Sequence, residues 1–460
     1  MIVPFGALLL LVALGPLLFA NWWHHHYPKV AVGLGLVTVA YYLFGLRAPT
    51  RVLEVAHEYV SFIALIGSLF VVAGGIHITV KGEATPGENV IFLLFGAILA
   101  NVIGTTGASM LLIRPWIRMN KYRVTAHHIV FFIFTVSNLG GCLTPIGDPP
   151  LFIGFLKGVP FWWVIQHCWP MWIVAVGLVL AIFFAVDFRN YLRAPKSIRA
   201  QLAEPPDSWK FEGGINVFSL LVILASVFIE KPIFLREAVL IGTAVASYYL
   251  TKPSIHDAND FTFAPVKEVV ILFIGIFATM IPALDWLGSN ARNIAIGTPT
   301  FFYWGTGILS ASLDNAPTYY TFLIAASGLF ISPETLSQLE AVVRTNGANL
   351  ADFSAPIRHA FETMQATHPE LLTGKAVDPD HLKVAFMLSD PLASKCVAAI
   401  SVGAVFFGAM TYIGNGPNFM VKSIAQHNKV HVPGFIGYLV KFAFPFLLPP
   451  LAIVWLLFFR

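Results

Sequence analysis

Long apolar runs alternate along the chain with short polar breaks, and the runs have lengths suited to a lipid bilayer. A helix of about 17 to 25 predominantly apolar residues can cross the hydrocarbon layer. On this pattern crossings are predicted near 2–20, 30–46, 59–80, 127–156 and 162–187, then near 215–230, 234–251, 267–287, 386–425 and 434–459. Two of them are interrupted by stretches that echo each other, Thr144-Pro145-Ile146-Gly147-Asp148-Pro149-Pro150 and Thr411-Tyr412-Ile413-Gly414-Asn415-Gly416-Pro417. Pro and Gly cannot sustain a helix, so each break leaves backbone carbonyls and amides without intrahelical partners. In lipid such groups survive only beside a polar cavity or inside protein.

Two more apolar stretches carry polar centres, Thr105-Thr106-Gly107-Ala108-Ser109 and Asp314-Asn315-Ala316-Pro317-Thr318. They read as re-entrant hairpins over 89–118 and 301–327. The polar features recur in order. Thr106 matches Asn315 at an offset of 209 (315 − 106), as does the run from Glu58 to Ile78 against Lys267 to Leu287, and Thr144 matches Thr411 at 267 (411 − 144). The change of offset corresponds to one polar insertion over 328–385, which holds Arg344-Thr345-Asn346-Gly347-Ala348-Asn349 and Thr367-His368-Pro369-Glu370. The predicted organisation is a first repeat over 1–188, a linker over 189–213 and a second repeat over 214–460. Five crossings per half is an odd number, so the second repeat is expected to be inverted relative to the first. The fold class is an all-α polytopic membrane protein of about ten crossings, with two re-entrant hairpins and two broken helices.

Composition supports the class: 57% of the 460 residues are hydrophobic and 11% charged, under half the roughly 25% of an average soluble domain. The net charge of +4 calls for no nucleic-acid partner; the basic residues belong to loop bias. With the N-terminus outside, Lys29, Lys81, Arg114, Arg118, Lys121, Arg123, Arg189, Arg193, Lys196, Arg199, Lys210, Lys252 and Lys429 fall on one side, which the positive-inside rule makes cytoplasmic. Both termini and the 328–385 insertion are then extracytoplasmic, and the 189–213 linker cytoplasmic. The first run lacks the basic start and small-residue cleavage site of a signal peptide and reads as a retained span of a bacterial-type cell membrane. Cys142, Cys168 and Cys396 all lie in apolar segments, without metal-ligand spacing, and read as packing residues.

Candidate chemistry lies where hairpin tips meet helix breaks. A hard cation such as sodium takes about five or six oxygens, which unwound carbonyls and Thr, Ser, Asn and Asp side chains can supply. The first half offers Thr105, Thr106, Ser109, Ser137, Asn138, Thr144 and Asp148; the second offers Ser312, Asp314, Asn315, Thr318, Thr411, Asn415 and Asn418. A transported sodium ion is expected at Thr106, Asp148, Asp314 and Asn315. Asp148 and Asp314 stand out, because a carboxylate at membrane depth is costly unless a proton or a cation compensates it. Either Asp could instead cap a half-helix N-terminus. No Gly-x-Ser-x-Gly, His-Glu-x-x-His or phosphate loop suggests an enzyme, and no cofactor is expected beyond transported Na⁺ and H⁺. Among the remaining polar residues, Trp22-Trp23-His24-His25-His26-Tyr27 fits an interfacial belt and His77 fits helix packing.

The run Ser137-Asn138-Leu139-Gly140-Gly141-Cys142-Leu143-Thr144-Pro145-Ile146-Gly147-Asp148-Pro149-Pro150, with Thr105-Thr106-Gly107-Ala108-Ser109 and Ser312-Leu313-Asp314-Asn315-Ala316-Pro317, resembles the ion transporter superfamily. That group includes NhaD-type sodium/proton antiporters, arsenite permeases, citrate transporters and sodium-coupled dicarboxylate symporters. The resemblance covers nearly the whole chain. It implies a homodimer in the lipid bilayer with scaffold and transport domains that work by an elevator motion. Carboxylate symporters of the group carry a Ser-Asn-Thr signature at both hairpin tips. Here the tips read Thr105-Thr106-Gly107 and Asp314-Asn315-Ala316, a departure that favours sodium/proton antiport. Transport of citrate or another organic anion, coupled to cations or protons, is the alternative; an ion channel or a membrane enzyme is a remote one.

Overall fold

The computed structural model describes all residues except 1, 80–83, 194–209, 230, 295, 349, 368–371 and 373–377. Lys81, Lys196, Arg199, Asn349, His368-Pro369-Glu370 and most of the 189–213 linker therefore lie outside the described residues.

Among the described residues the chain is predominantly helical, with one two-stranded antiparallel ribbon, His77–Thr79 against Lys210–Glu212. Among the described residues eight helices are long and apolar enough to cross a membrane. This is an all-α polytopic membrane protein. Of the ten expected crossings, seven fall on these helices and three fall on shorter elements, Val3–Leu18, Gly214–Ser226 and Leu235–Leu250, of 16, 13 and 16 residues; the eighth long helix, Pro86–Met119, covers the stretch expected as the first hairpin. The predicted 59–80 crossing is displaced toward the N-terminus, as helix Pro49–Gly74. His77 accordingly sits in the ribbon rather than on a helix, with Nδ1 2.8 Å from Asn259 Oδ1.

Helix starts follow local chemistry. Pro fits the first turn because its missing N–H has no partner there in any case, and Pro49, Pro86, Pro149, Pro299, Pro333, Pro379 and Pro391 all occupy that turn. Side-chain caps precede several of them. Thr85 forms a reciprocal capping box with Glu88, and Thr298, Ser332, Asp378 and Asp390 accept from backbone amides of their first turns.

The segment Pro86–Met119 would measure about 51 Å as one straight helix. It instead folds back at Gly104, whose φ is +76°. The Asn89 and Asn120 side-chain amides exchange hydrogen bonds of 2.8 and 3.0 Å, and the Phe92 and Trp116 rings stack at 5.5 Å, so the two arms lie side by side. The second hairpin pairs Pro299–Ser312 with Asn315–Phe330, and its Phe301 and Phe322 rings are 6.3 Å apart.

The first broken helix consists of Ala126–Thr135, a tight turn Leu139–Leu143 and Pro149–Leu156. The second consists of Pro391–Phe407, a tight turn Gly408–Met410 and Gly416–His427. The insertion is a small helical unit. Its helices Pro333–Arg344 and Ala355–Thr367 pack with Pro379–Ser389 around Leu339, Val343, Ile357, Phe361, Met364 and Leu382. Asp390 ends that unit by capping the second broken helix. Lys395, inside that helix, is exposed.

Candidate functional site

Both breaks are built the same way. Thr144 Oγ1 donates to the Asn101 carbonyl at 2.6 Å and accepts from Gly147 N at 3.0 Å. Thr411 Oγ1 donates to the Ala311 carbonyl at 2.7 Å and accepts from Gly414 N at 3.1 Å. Each hydroxyl thus pins its break to the hairpin arm just before the tip, and these two predicted ion ligands are engaged in holding the loop. The glycines allow the chain to close on itself. A Cβ at Gly147 would meet the Gly141 carbonyl oxygen at 2.2 Å, and one at Gly414 would meet the Gly408 oxygen at 2.6 Å. Gly141 and Gly408, like Gly147 and Gly414, are 267 residues apart (408 − 141).

The first hairpin tip closes on this frame. Gly104 leaves the helical conformation, so Thr105 N is free of an intrahelical acceptor and donates to the Gly147 carbonyl at 2.7 Å. That contact carries Thr105 Oγ1 to Asp148 Oδ1, to which it donates at 2.6 Å. Asp148 stands at the N-cap of Pro149–Leu156 but makes no side-chain capping bond. Its carboxylate turns inward and is 1% exposed. Asn315 Nδ2, from the second hairpin tip, donates to Asp148 Oδ2 at 2.6 Å, and Asn415 Nδ2, from the second break, donates to Oδ1 at 3.0 Å. One carboxylate therefore gathers both hairpins and both breaks, and its three donors are a hydroxyl and two amides.

Around it lie further polar side chains. Ser109 and Ser137 hydroxyls are 2.7 Å apart, and Asn415 Nδ2 also donates to the Ser137 carbonyl at 3.2 Å. Asn138 Nδ2 donates to Asn418 Oδ1 at 2.7 Å, and Asn418 Nδ2 holds the Gly408 and Thr411 carbonyls. The amide oxygens Asn138 Oδ1 and Asn315 Oδ1 are buried with no hydrogen-bond partner. A Cβ at Gly408 would lie 3.0 Å from Asn138 Oδ1 and 3.5 Å from Asn315 Nδ2, so the two amides flank that glycine. A buried acceptor without a donor is costly, and carbonyl oxygens in that condition are what a hard cation uses.

Of the predicted residues, Thr105, Asp148, Asn315 and Asn415 are in direct contact; Ser109, Ser137, Asn138 and Asn418 adjoin them. Thr106 lines a small cavity with Asp148. Asp314 does not reach Asp148 by a hydrogen bond: its Oδ1 accepts from Ala316 N at 3.0 Å and its carbonyl accepts from Thr318 Oγ1 at 2.9 Å. Ser312 is exposed and bonds its own helix at the Ile308 carbonyl.

The whole arrangement lies within one family match. Residues 1–459 match the family described as "Putative citrate transport". The chain belongs to this family. It is accordingly a transporter, and its apolar helices make it an integral membrane protein. Compared one by one with curated proteins, the chain matches none. Membership agrees with the resemblance to the ion transporter superfamily, and within that group it points toward the citrate transporters.

Sequence reading missed several contributors. Gly104 sets the tip, Asn101 receives the Thr144 hydroxyl and, through Oδ1, the Leu143 amide at 2.8 Å, and Leu65, Ile66 and Leu69 of Pro49–Gly74 wall the cavity. Gly141 and Gly408 were detectable, since they recur at the same offset as the two threonines. The cavity wall carries no such signal, because aliphatic residues on a crossing helix look alike whichever surface they meet.

Proposed function

We propose that this protein carries citrate, or a close di- or tricarboxylate, across a membrane together with a cation held at Asp148. The observation that carries the reading is the Asp148 carboxylate, buried between both hairpin tips and flanked by the unpartnered amide oxygens of Asn138 and Asn315. Such a cluster is electron-rich. A bare polycarboxylate would be repelled by it at low dielectric, whereas a bound cation removes the repulsion and gives the substrate a counter-charge. The sequence alone puts sodium/proton antiport first; membership in a citrate transport family reverses that order. Antiport stays as the second reading, because a buried carboxylate served only by neutral donors can be neutralised in turn by H⁺ and by Na⁺.

The same reading takes the hairpins as re-entrant and the two repeats as inverted, both termini as extracytoplasmic, and the working unit as a homodimer moving by an elevator. What supports it is the matching construction of the two halves, since duplicated helix breaks at corresponding points mark transporter sites. Exposed Ser354 tests the orientation: a cysteine placed there reacts with an impermeant thiol reagent added outside if the insertion is extracytoplasmic. Substrate choice is tested in proteoliposomes with a pH-sensitive dye inside, challenged in turn with sodium, lithium, potassium and citrate. A response requiring citrate together with a cation supports the first reading, and a response to sodium or lithium alone supports antiport.

A further inference from the structure

Arg114 lies on the second arm of the first hairpin, and its side chain is 17% exposed. Among the described residues its ion-pair partner is Asp260, 3.5 Å from Nη2 and two-thirds exposed. Nε and Nη1 are buried and have no acceptor. The other arginines at comparable depth are better served. Arg123 holds both Asp187 oxygens and the Ala84 carbonyl, Arg51 holds Asp285 and Glu54, and Arg236 holds Glu237 and Ser61. Among the described arginines, Arg114 is the one with buried N–H groups left unpaired, a condition that costs more than an unmade bond on a neutral group.

Its place suggests what those groups are for. Thr106, Met110 and Arg114 recur every four residues and so fall along one side of the arm. Thr106 lines the cavity beside Asp148. Met110 shares a buried cluster with Phe70 and Val71, against which Phe261, the residue after Asp260, packs. Arg114 ends the stripe about 12 Å from Thr106, where this arm meets the chain around Asp260. The repeat does not require a cation there, since the equivalent position of the second hairpin, 209 residues on, is Leu323.

We infer that Arg114 is a second carboxylate-binding station for the transported anion, its planar guanidinium presenting Nη2 together with the unpaired Nε or Nη1 as a bidentate fork once Asp260 gives way, at the end of the stripe that begins beside the Asp148 cavity. The planar guanidinium fits a carboxylate with two parallel hydrogen bonds. The inference rests on the citrate reading above and extends it: cation and anion are held by different residues on one helix face, and Asp260 competes with the substrate for the same guanidinium.

The test is citrate titration of the purified full-length protein in detergent, in sodium, with sodium-induced thermal stabilisation measured separately. Arg114→Gln is expected to weaken citrate binding by about ten- to a hundredfold, the loss of one charged hydrogen-bond pair, and to leave the sodium effect in place. Arg114→Lys retains charge without the fork and should recover only part of the affinity. Asp260→Asn should tighten binding. Unchanged citrate affinity in Arg114→Gln overturns the inference, as does Asp260→Asn weakening it equally, which marks a purely structural ion pair. If phosphatidylglycerol in mixed micelles stabilises the wild type and Arg114→Gln removes that effect alone, the group is a lipid anchor and the inference falls. A wild type that binds no polycarboxylate overturns the function reading itself, and this inference with it.

Discussion

Asn415 donates to Asp148 at 3.0 Å although the two residues are equivalents in the two halves, 267 positions apart (415 − 148). The shared frame therefore places an acid and an amide against each other where strict symmetry would give two acids or two amides. Two carboxylates at this separation would share a proton or need a cation between them. Asn415→Asp is thus expected to lower thermal stability without sodium and to make stability steeply sodium-dependent. Melting curves in detergent, with sodium replaced by choline, check this.

Asp314 gives a contrasting expectation. Its carboxylate caps Ala316 N, and Asn caps about as well as Asp. Asp314→Asn should keep most transport and cost under about 1 kcal/mol, measured as uptake and as melting temperature.

The glycine pairs predict matched sensitivity in the two halves. Ala at Gly147 or Gly414 places a methyl group 2.2 or 2.6 Å from a backbone oxygen that cannot step aside. Each substitution should cost about 3 kcal/mol and lower the yield of folded protein, read by fluorescence-detected size exclusion. Thr144→Val and Thr411→Val should be milder, near 1 kcal/mol each.

These pairs also show how far the sequence could be read. The breaks, both hairpins and Asp148 were legible because Pro, Gly and a lone acid disrupt apolar runs and leave conspicuous marks. The division of labour between Asp148 and Asp314 was not. Both precede a half-helix, and only the turn geometry decides which carboxylate bonds its own amides and which faces inward. Asn418 reaching Asn138 joins residues 280 apart (418 − 138) that no repeat offset relates. The insertion reads as polar sequence, yet its apolar residues at helical spacing close over their own small core.

Lys157 joins elements that are far apart in sequence. Its Nζ lies 2.5 Å from Glu58 of the Pro49–Gly74 helix and 2.8 Å from Asp380 of the insertion, and its side chain is 7% exposed. Lys157→Met should destabilise by roughly 3–5 kcal/mol, since Glu58 is left largely buried without its cation beside Asp380, which keeps only Lys383 at 3.1 Å. Burial works against the Asp380 charge, but Lys157 and Lys383 outweigh it and hold the carboxyl well below the usual carboxylate range. Burial likewise works against the Lys157 ammonium, and Tyr320, Glu58 and Asp380 together hold it well above the usual lysine range. A depressed acid stabilises above its ordinary value of about 3.9 and loses that contribution as pH falls through its folded value. A raised base stabilises below about 10.4 and loses it as pH rises through its folded value. The contribution of this pair to the melting temperature should therefore be flat between about pH 5 and 9, in wild type compared with Lys157→Met.

The most direct test of the account is uptake of labelled citrate into proteoliposomes under an imposed sodium gradient, for wild type and Asp148→Asn. The account predicts sodium-driven uptake in the wild type and a fall of at least about tenfold in the variant, with the variant still folded and inserted. Sodium-driven citrate uptake at the wild-type rate in Asp148→Asn would contradict it.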